Sequence, residues 1–472
     1  MDFLVIAFFL IIPYNPTSLL NWSSILDLCY WIVNSSQELR DWKKYDNPLT
    51  PDWGEPRRAV LDIIDIGLRL DDFLKIPFEF CEKIWDLLLP ITSDPDPTSE
   101  HESNYKKWNE KNGFISNVIS LRLNTIRSKA IETIICYALW IRRYYENDLT
   151  NNKLPEREFN SIPQITQIFQ VLEEHLDKEK DSSLGVHAVY GAWLLQLAYL
   201  DSNWTTLNIS KIFPSDKNLE QFRRAAWETY LQFSNVKIPI YEMLKDEYLY
   251  AIENLNVRDK SSPYPTEPEE GLIDHLMLLY SWGVLHFDQS DTLLNKFYEK
   301  ASDNFRGHAI DFIGRCLSNT GEEIEPDILE RLRYLWKKRI NEAKQSSNTE
   351  NYTQEISAFS WWFKSEKFDD KWSVEQLKEA LAVMKKVDHL FQYQVMDRLI
   401  HLANKMPIEV IECIFLMVKK NDDYIKENEI KLILQLIFQL DNEEARQKAV
   451  TLVHYLGRIN YWKFRELLPN SN

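Results

Sequence analysis

Glycine is scarce in this sequence, with eleven in 472 residues against an average usage of roughly 7%. Tight strand turns, phosphate-cradling loops and the close backbone approach of dinucleotide-binding folds all draw on it. The shortage argues against such folds and for helix throughout. The glycine motifs are missing as well. There is no G-x-x-x-x-G-K-[ST], no Gly-Lys pair and no G-x-G-x-x-G, so neither a P-loop nor a dinucleotide fingerprint is encoded. H-E-x-x-H, zinc-spaced Cys/His pairs and the G-x-S-x-G elbow are equally absent. The expectation is a chain with no catalytic, cofactor-binding or metal-ligating residues of recognisable type.

Other shortages narrow the class further. The five cysteines, Cys29, Cys81, Cys136, Cys316 and Cys413, include no C-x-x-C and read as reduced, buried thiols of a cytoplasmic protein. Basic residues are too few for general nucleic-acid binding, because the net charge is −17 and the phosphate backbone must be met by clustered Lys and Arg. Long apolar runs are lacking too. "FLVIAFFLII" (3–12) is ten residues, whereas a spanning helix needs about 20. With Asp2 before it and no basic n-region, it reads as a buried first helix or strand of an apolar segment 1–20. A membrane-tethered scaffold is the alternative that rests wholly on this run.

What is present is helical periodicity. "RRAVLDIIDIGLRL" (57–70), "SKAIETIICYALWIRRYY" (128–145), "GVHAVYGAWLLQLAYL" (185–200) and "IEVIECIFLMVKK" (408–420) place apolar residues at three- and four-residue spacing, and similar segments fill the chain between them. Pro163, Pro326 and Pro407 suit first helical turns, and Ser373–Gln376 and Asp441–Glu444 have capping-box spacing. Two polar, proline-bearing stretches interrupt the pattern, 92–113 and 257–271. The predicted organisation is an N-terminal helical array (21–256), a linker (257–270) and a C-terminal array (271–472). A signature R-x-x-A-Φ-x-x-Φ recurs from Arg127, Arg223, Arg306 and Arg446, at spacings near multiples of a roughly 40- to 47-residue helical repeat. The fold class expected is all-α, an α-solenoid of antiparallel helix pairs with irregular repeats.

Chemistry-bearing residues are few. "SAFSWWFKSEKFDDKW" (357–372) gathers Trp361, Trp362 and Trp372 with Asp369 and Asp370. As an exposed aromatic patch these five would form an interaction surface. As packing residues the tryptophans would fill the space between two helices, with both aspartates facing water in the loop before a Ser373 cap. A divergent helical nuclease or toxin is the enzymatic alternative, with Trp361, Asp369 and Asp370, or Arg398 and His401, as its first suspects. His187, His275, His308 and His454 stand singly in helical segments and read as packing histidines.

Several stretches together carry a resemblance. "DPDPTSEHES", "ISLRLNTIRSKAIETIICYALW", "VYGAWLLQLAYLDSNW", "FRRAAWETYLQF", "FSWWFKSEKFDDKW" and "YLGRINYWKFRELL" occur in this order between about residues 20 and 468. They resemble the C-terminal helical regions of large bacterial anti-phage defence proteins, in which a STAND-type NTPase or a SIR2-like effector precedes a helical sensor. The resemblance implies a HEAT-like sensor or scaffold without the effector that performs a reaction, so no catalytic residue carries over. The partner it implies is a protein, either a phage component or a separately encoded effector.

Overall fold

The computed structural model describes residues 21–35, 54–69, 75–98, 100–104, 107, 118–150, 159, 162–255, 268–287, 292–420 and 425–468. The chain is all-α, and no β-strand occurs among the described residues. It divides into two compact units, the chain passing from the first to the second between Leu244 and Lys245. The stretch 257–270 lies outside the described residues except for 268–270, which open a helix. The apolar run 3–12 also lies outside them.

The first unit holds α1 (Trp22–Ser35), α2 (Gly54–Arg69), α3 (Cys81–Thr92), α4 (Val118–Asn124), α5 (Ile126–Thr150) and α6 (Pro163–Leu176). After these come α7 (Leu184–Ala192), α8 (Leu194–Leu200), α9 (Ser202–Ile212), α10 (Glu220–Phe233) and α11 (Ile238–Met243). Helix α5 is the hub, because Ala130, Ile131, Ile134, Ile135, Ala138, Trp140 and Ile141 bury on more than one of its sides. It packs on α2, α3, α7 and α8. The interruption from residue 92 is built into this unit where it is described. Asp94 pairs with Arg57 at 2.8 Å with both side chains buried, and Glu102 accepts from Ser183 Oγ (2.6 Å) and the amides of Leu184 and Gly185 (both 3.0 Å). A carboxylate is thereby set on the open amides at the start of α7.

The second unit runs through α12 (Lys245–Glu253), α13 (Pro268–Ser281), α14 (Leu293–Lys300), α15 (Asp303–Asn319), α16 (Pro326–Gln345) and α17 (Thr353–Lys364). It ends with α18 (Asp370–Val383), α19 (His389–Leu402), α20 (Pro407–Lys419), α21 (Glu427–Gln439) and α22 (Glu443–Arg458). From α15 onward the main contacts fall between every second helix, giving one layer of α15, α17, α19 and α21 and another of α16, α18, α20 and α22. Layer-mates run parallel: Ser357 to Asp388, Ser360 to Gln394 and the Phe363 carbonyl to Arg398 are successive links along α17 and α19. Consecutive helices are therefore antiparallel, as in helical-repeat proteins. In the other layer Lys344–Glu379, Lys378–Glu412 and Lys448–Glu412 join residues 35, 34 and 36 positions apart. The structural repeat in this region is thus shorter than the 40- to 47-residue period expected from the arginine signature.

The signature itself has a structural meaning. Ala130, Ala226, Ala309 and Ala449 are all fully buried. Arg127 grips Asp181 through two bonds (2.9 and 3.0 Å), and Arg306 reaches Glu355 at 2.7 Å. Two helix starts differ from the sequence reading. Asp369, not Ser373, caps α18, and Ser373 turns inward to bond the Asp370 carbonyl (3.0 Å). Asn442 rather than Asp441 caps α22. A short side-chain oxygen caps only where its residue leaves helical backbone, which spacing does not specify. Pro163, Pro326 and Pro407 do open helices. Of the cysteines, all free, Cys316 is exposed and Cys81 half-buried, so only Cys29, Cys136 and Cys413 are buried thiols.

Glycine appears where layers touch. A Cβ on Gly191 of α7 would lie 1.9 Å from the Ala226 carbonyl oxygen of α10, and one on Gly314 of α15 would lie 2.4 Å from Trp361 Cβ. Gly191→Ala is therefore expected to destabilise the chain by about 3 kcal/mol or more, at the upper end of overpacking costs. Gly321→Ala, whose Cβ would meet nothing within 4 Å, should change stability little. Urea denaturation of the two variants beside the parent checks the contrast, and equal midpoints would show that the helices separate freely.

Candidate functional site

The tryptophan-rich stretch divides between core and surface. Trp362 is enclosed, with its Nε1 donating to the Ile310 carbonyl at 2.7 Å. It stacks on Phe368 (5.9 Å, 6°) and meets Trp336 edge-on (5.7 Å, 80°). Trp336 also stacks on Phe359 (5.0 Å, 3°) and takes Trp372 edge-on (5.3 Å, 88°). These offset and edge-to-face geometries are those aromatic rings prefer in a core. Trp362 therefore contributes packing between α15 and α17, and Trp372 is half-buried over the same cluster.

The two aspartates act separately. Asp369 is exposed and accepts from the Trp372 amide (2.9 Å) as the cap of α18. Asp370 accepts from Arg398 (3.0 Å) and Lys405 (3.4 Å), and the Arg398 hydrogen bond in particular holds its carboxyl below the usual carboxylate range. Arg398 is buried, donating to the Phe363 and Phe368 carbonyls as well, while His401 on the same helix is exposed. The structure does not bring Arg398 and His401 together as a reactive pair.

Trp361 belongs to a different feature. Half-buried on the outer side of α17, it is hydrogen-bonded to Asp311 of α15, which Arg315 pairs at 2.8 Å. Burial pushes the Asp311 carboxyl above its ordinary value in spite of Arg315, His308 and that hydrogen bond. Lys364, one turn on from Trp361, places its ammonium 5.1 Å from the Trp361 ring and 5.8 Å from the ring of Tyr393 on α19. Lys426, at the start of α21, lies 4.9 Å from the same Tyr393 ring and 3.5 Å from Glu429. An aromatic and charged stripe thus crosses four consecutive helices of one layer, at cation–π range between neighbours. Along it Tyr393 is 55% exposed and Leu390, one turn before it, 60%, and on α21 Leu432 is 43% exposed. The sequence reading found Trp361 and missed Lys364, Leu390, Tyr393 and Lys426. Their signal was a one-turn spacing within each helix, which leaves open the register between helices.

Beneath the layers, Glu355 of α17 is wholly buried between Arg306 of α15 and Arg339 of α16, and Arg339 also reaches Glu342. Elsewhere the buried His187 bonds the Ile212 carbonyl and the buried His275 bonds Tyr248, and the half-buried His308 bonds Asp274. His454 is exposed. No group of three or more His, Cys, Asp or Glu residues is placed to hold a metal ion among the described residues. Nor is any described helix long and apolar enough to cross a membrane. No protein-family model matches the chain, and no curated protein or solved structure is significantly similar to it.

The two halves of the tryptophan stretch should respond differently to mutation. Trp362→Ala removes a fully enclosed ring and its hydrogen bond, and is expected to cost about 3–5 kcal/mol. Asp369→Ala removes only a cap and is expected to cost about 1 kcal/mol. Equilibrium urea unfolding measures both, and a stable Trp362→Ala variant would move this ring from core to surface.

Proposed function

We propose that the chain is a non-enzymatic helical scaffold that binds a protein partner along the outer stripe of its α15–α17–α19–α21 layer. The observation that carries this reading is the continuity of the stripe. Asp311, Trp361, Lys364, Tyr393 and Lys426 come from four helices yet touch in sequence. Leu390 and Leu432 add apolar side chains that no neighbouring helix covers. Aromatic rings are what protein interfaces enrich at their centres, with charged side chains towards the rim. Layered helical arrays characteristically present such extended faces.

The resemblance to sensor regions of anti-phage defence proteins sets the biological frame of the proposal. The partner would be a phage component or a separately encoded effector, met in the cytoplasm, and the chain would signal by binding alone. The overall negative charge disfavours nucleic acid as that partner.

A photo-crosslinking amino acid at position 393 tests the reading in cells that express the chain. The expected result is one saturable protein adduct that disappears when Leu390→Asp is added, with purified-partner affinity reduced at least about tenfold, as loss of an interface anchor implies. The same crosslinker at Glu375, exposed on α18 in the other layer, should trap nothing comparable. Equal adducts at both positions, or none at 393, would remove the stripe as the binding face.

A further inference from the structure

The first unit holds a second feature, unrelated to the stripe. After α6 the chain makes a short turn before α7, and Lys178 in that turn folds back over the ring of Phe222 of α10, 4.8 Å from its centroid. Its Nζ donates to His187 Nδ1 at 2.5 Å. His187 is buried on α7, and its Nε2 lies 2.8 Å from the Ile212 carbonyl at the end of α9. A carbonyl only accepts, so Nε2 carries the ring proton and Nδ1 offers a lone pair to the lysine. Burial, followed by the Lys178 charge, lowers the His187 pKa to about 3, so the ring stays neutral and keeps that acceptor role. Burial likewise lowers the Lys178 pKa to about 7 in spite of Asp181 and Asp177 nearby. Asp181 is itself engaged, by Arg127 and by His175 (2.7 Å).

Lys178 also lines an open cleft of about 650 Å³, together with Glu173, Glu174, Lys180, Ser210 and Lys211. Its volume falls in the range of small-molecule sites. The charges on its walls are mixed, and Lys211 is paired with Glu173 at 2.8 Å. Such a lining carries no strong demand for a charged ligand. An amine held on an aromatic face and bonded to a neutral imidazole, on a side chain that lines a cleft, has the features of a lysine that reacts with carbonyl groups.

We propose that Lys178 is a nucleophilic amine that forms an imine with a small uncharged aldehyde or ketone bound in this cleft. The Nζ lone pair attacks the carbonyl carbon, giving a carbinolamine. Both Nζ protons then leave with the carbonyl oxygen as water, and the C=N bond forms. No oxidant or reductant is needed for this step. His187 orients the amine and is a positioning residue.

Lysines sharing the cleft supply an internal control. The full chain is treated with propanal and sodium cyanoborohydride, which reduces any imine to a stable secondary amine, and propylated lysines are mapped by mass spectrometry over time. At pH 7.5 Lys178 is expected to be modified at least about tenfold faster than Lys180 and Lys211, because a free amine and not an ammonium is the nucleophile. Its rate should rise with pH to a plateau with a midpoint near 7. Equal rates at the three lysines, a slower Lys178, or a Lys178 rate without a plateau would each overturn the proposal and leave the lysine as a packing residue of the α6–α7 turn.

Discussion

The constraint on which the rest depends is the close approach of helices that are not consecutive in the chain. Where α7 meets α10, and where α15 meets α17, there is no room for a Cβ at Gly191 or Gly314. At such distances whole faces of backbone and small side chains exclude water together. Thr229 uses that proximity to bond the Ala188 carbonyl at 2.7 Å, and Trp362 to bond the Ile310 carbonyl. A chain with few glycines has put two of them where two helices could not otherwise close. Once layer-mates are fixed in parallel register, the intervening helix must return antiparallel, and the alternating layers of the second unit follow.

Buried charge then fixes the register that close packing leaves free to slide. Glu355 between Arg306 and Arg339 links three helices at a point without water. Such a triad contributes little net stability over a well-packed apolar one, yet removing one member leaves uncompensated charge, at a cost of about 3–5 kcal/mol. Its value lies in admitting only one alignment. Arg127 with Asp181 has the corresponding part in the first unit, where it also gathers the Asp94 and Pro97 carbonyls (both 2.7 Å). At two of its four occurrences the arginine of the signature holds a later segment to an earlier helix, whereas Arg446 pairs with Asp441 and Glu443 at the start of its own helix. At Arg127 and Arg306, where the grip is seen, it spans different numbers of residues.

With packing and register set, the surface stripe and the lysine cleft are consequences. Tyr393 comes within cation–π range of both Lys364 and Lys426 because α17, α19 and α21 advance in step. Lys178 meets a neutral imidazole because α7, α9 and α10 converge on His187. Both sites gather residues far apart in sequence, so a change in helix register would dissolve them without altering any local motif.

The sequence by itself determined the helical class, most helix spans and the proline-led starts, since these depend on three- and four-residue spacing and on the fixed φ of proline. It also showed the recurrent arginine signature, whose four alanines the structure buries. Only tertiary structure decided which tryptophan faced outward. Trp361 and Trp362 are adjacent and chemically identical, and what separates them is the neighbour each ring finds, the Ile310 carbonyl for Trp362 and Asp311 for Trp361. Tertiary structure likewise turned the polar stretch after residue 92 from an interruption into a cap for α7, and joined Lys178 to His187 across a turn. Periodicity describes one helix against water. It carries no information on which other helix displaces that water, and here that choice sets every contact on which the proposed sites rest.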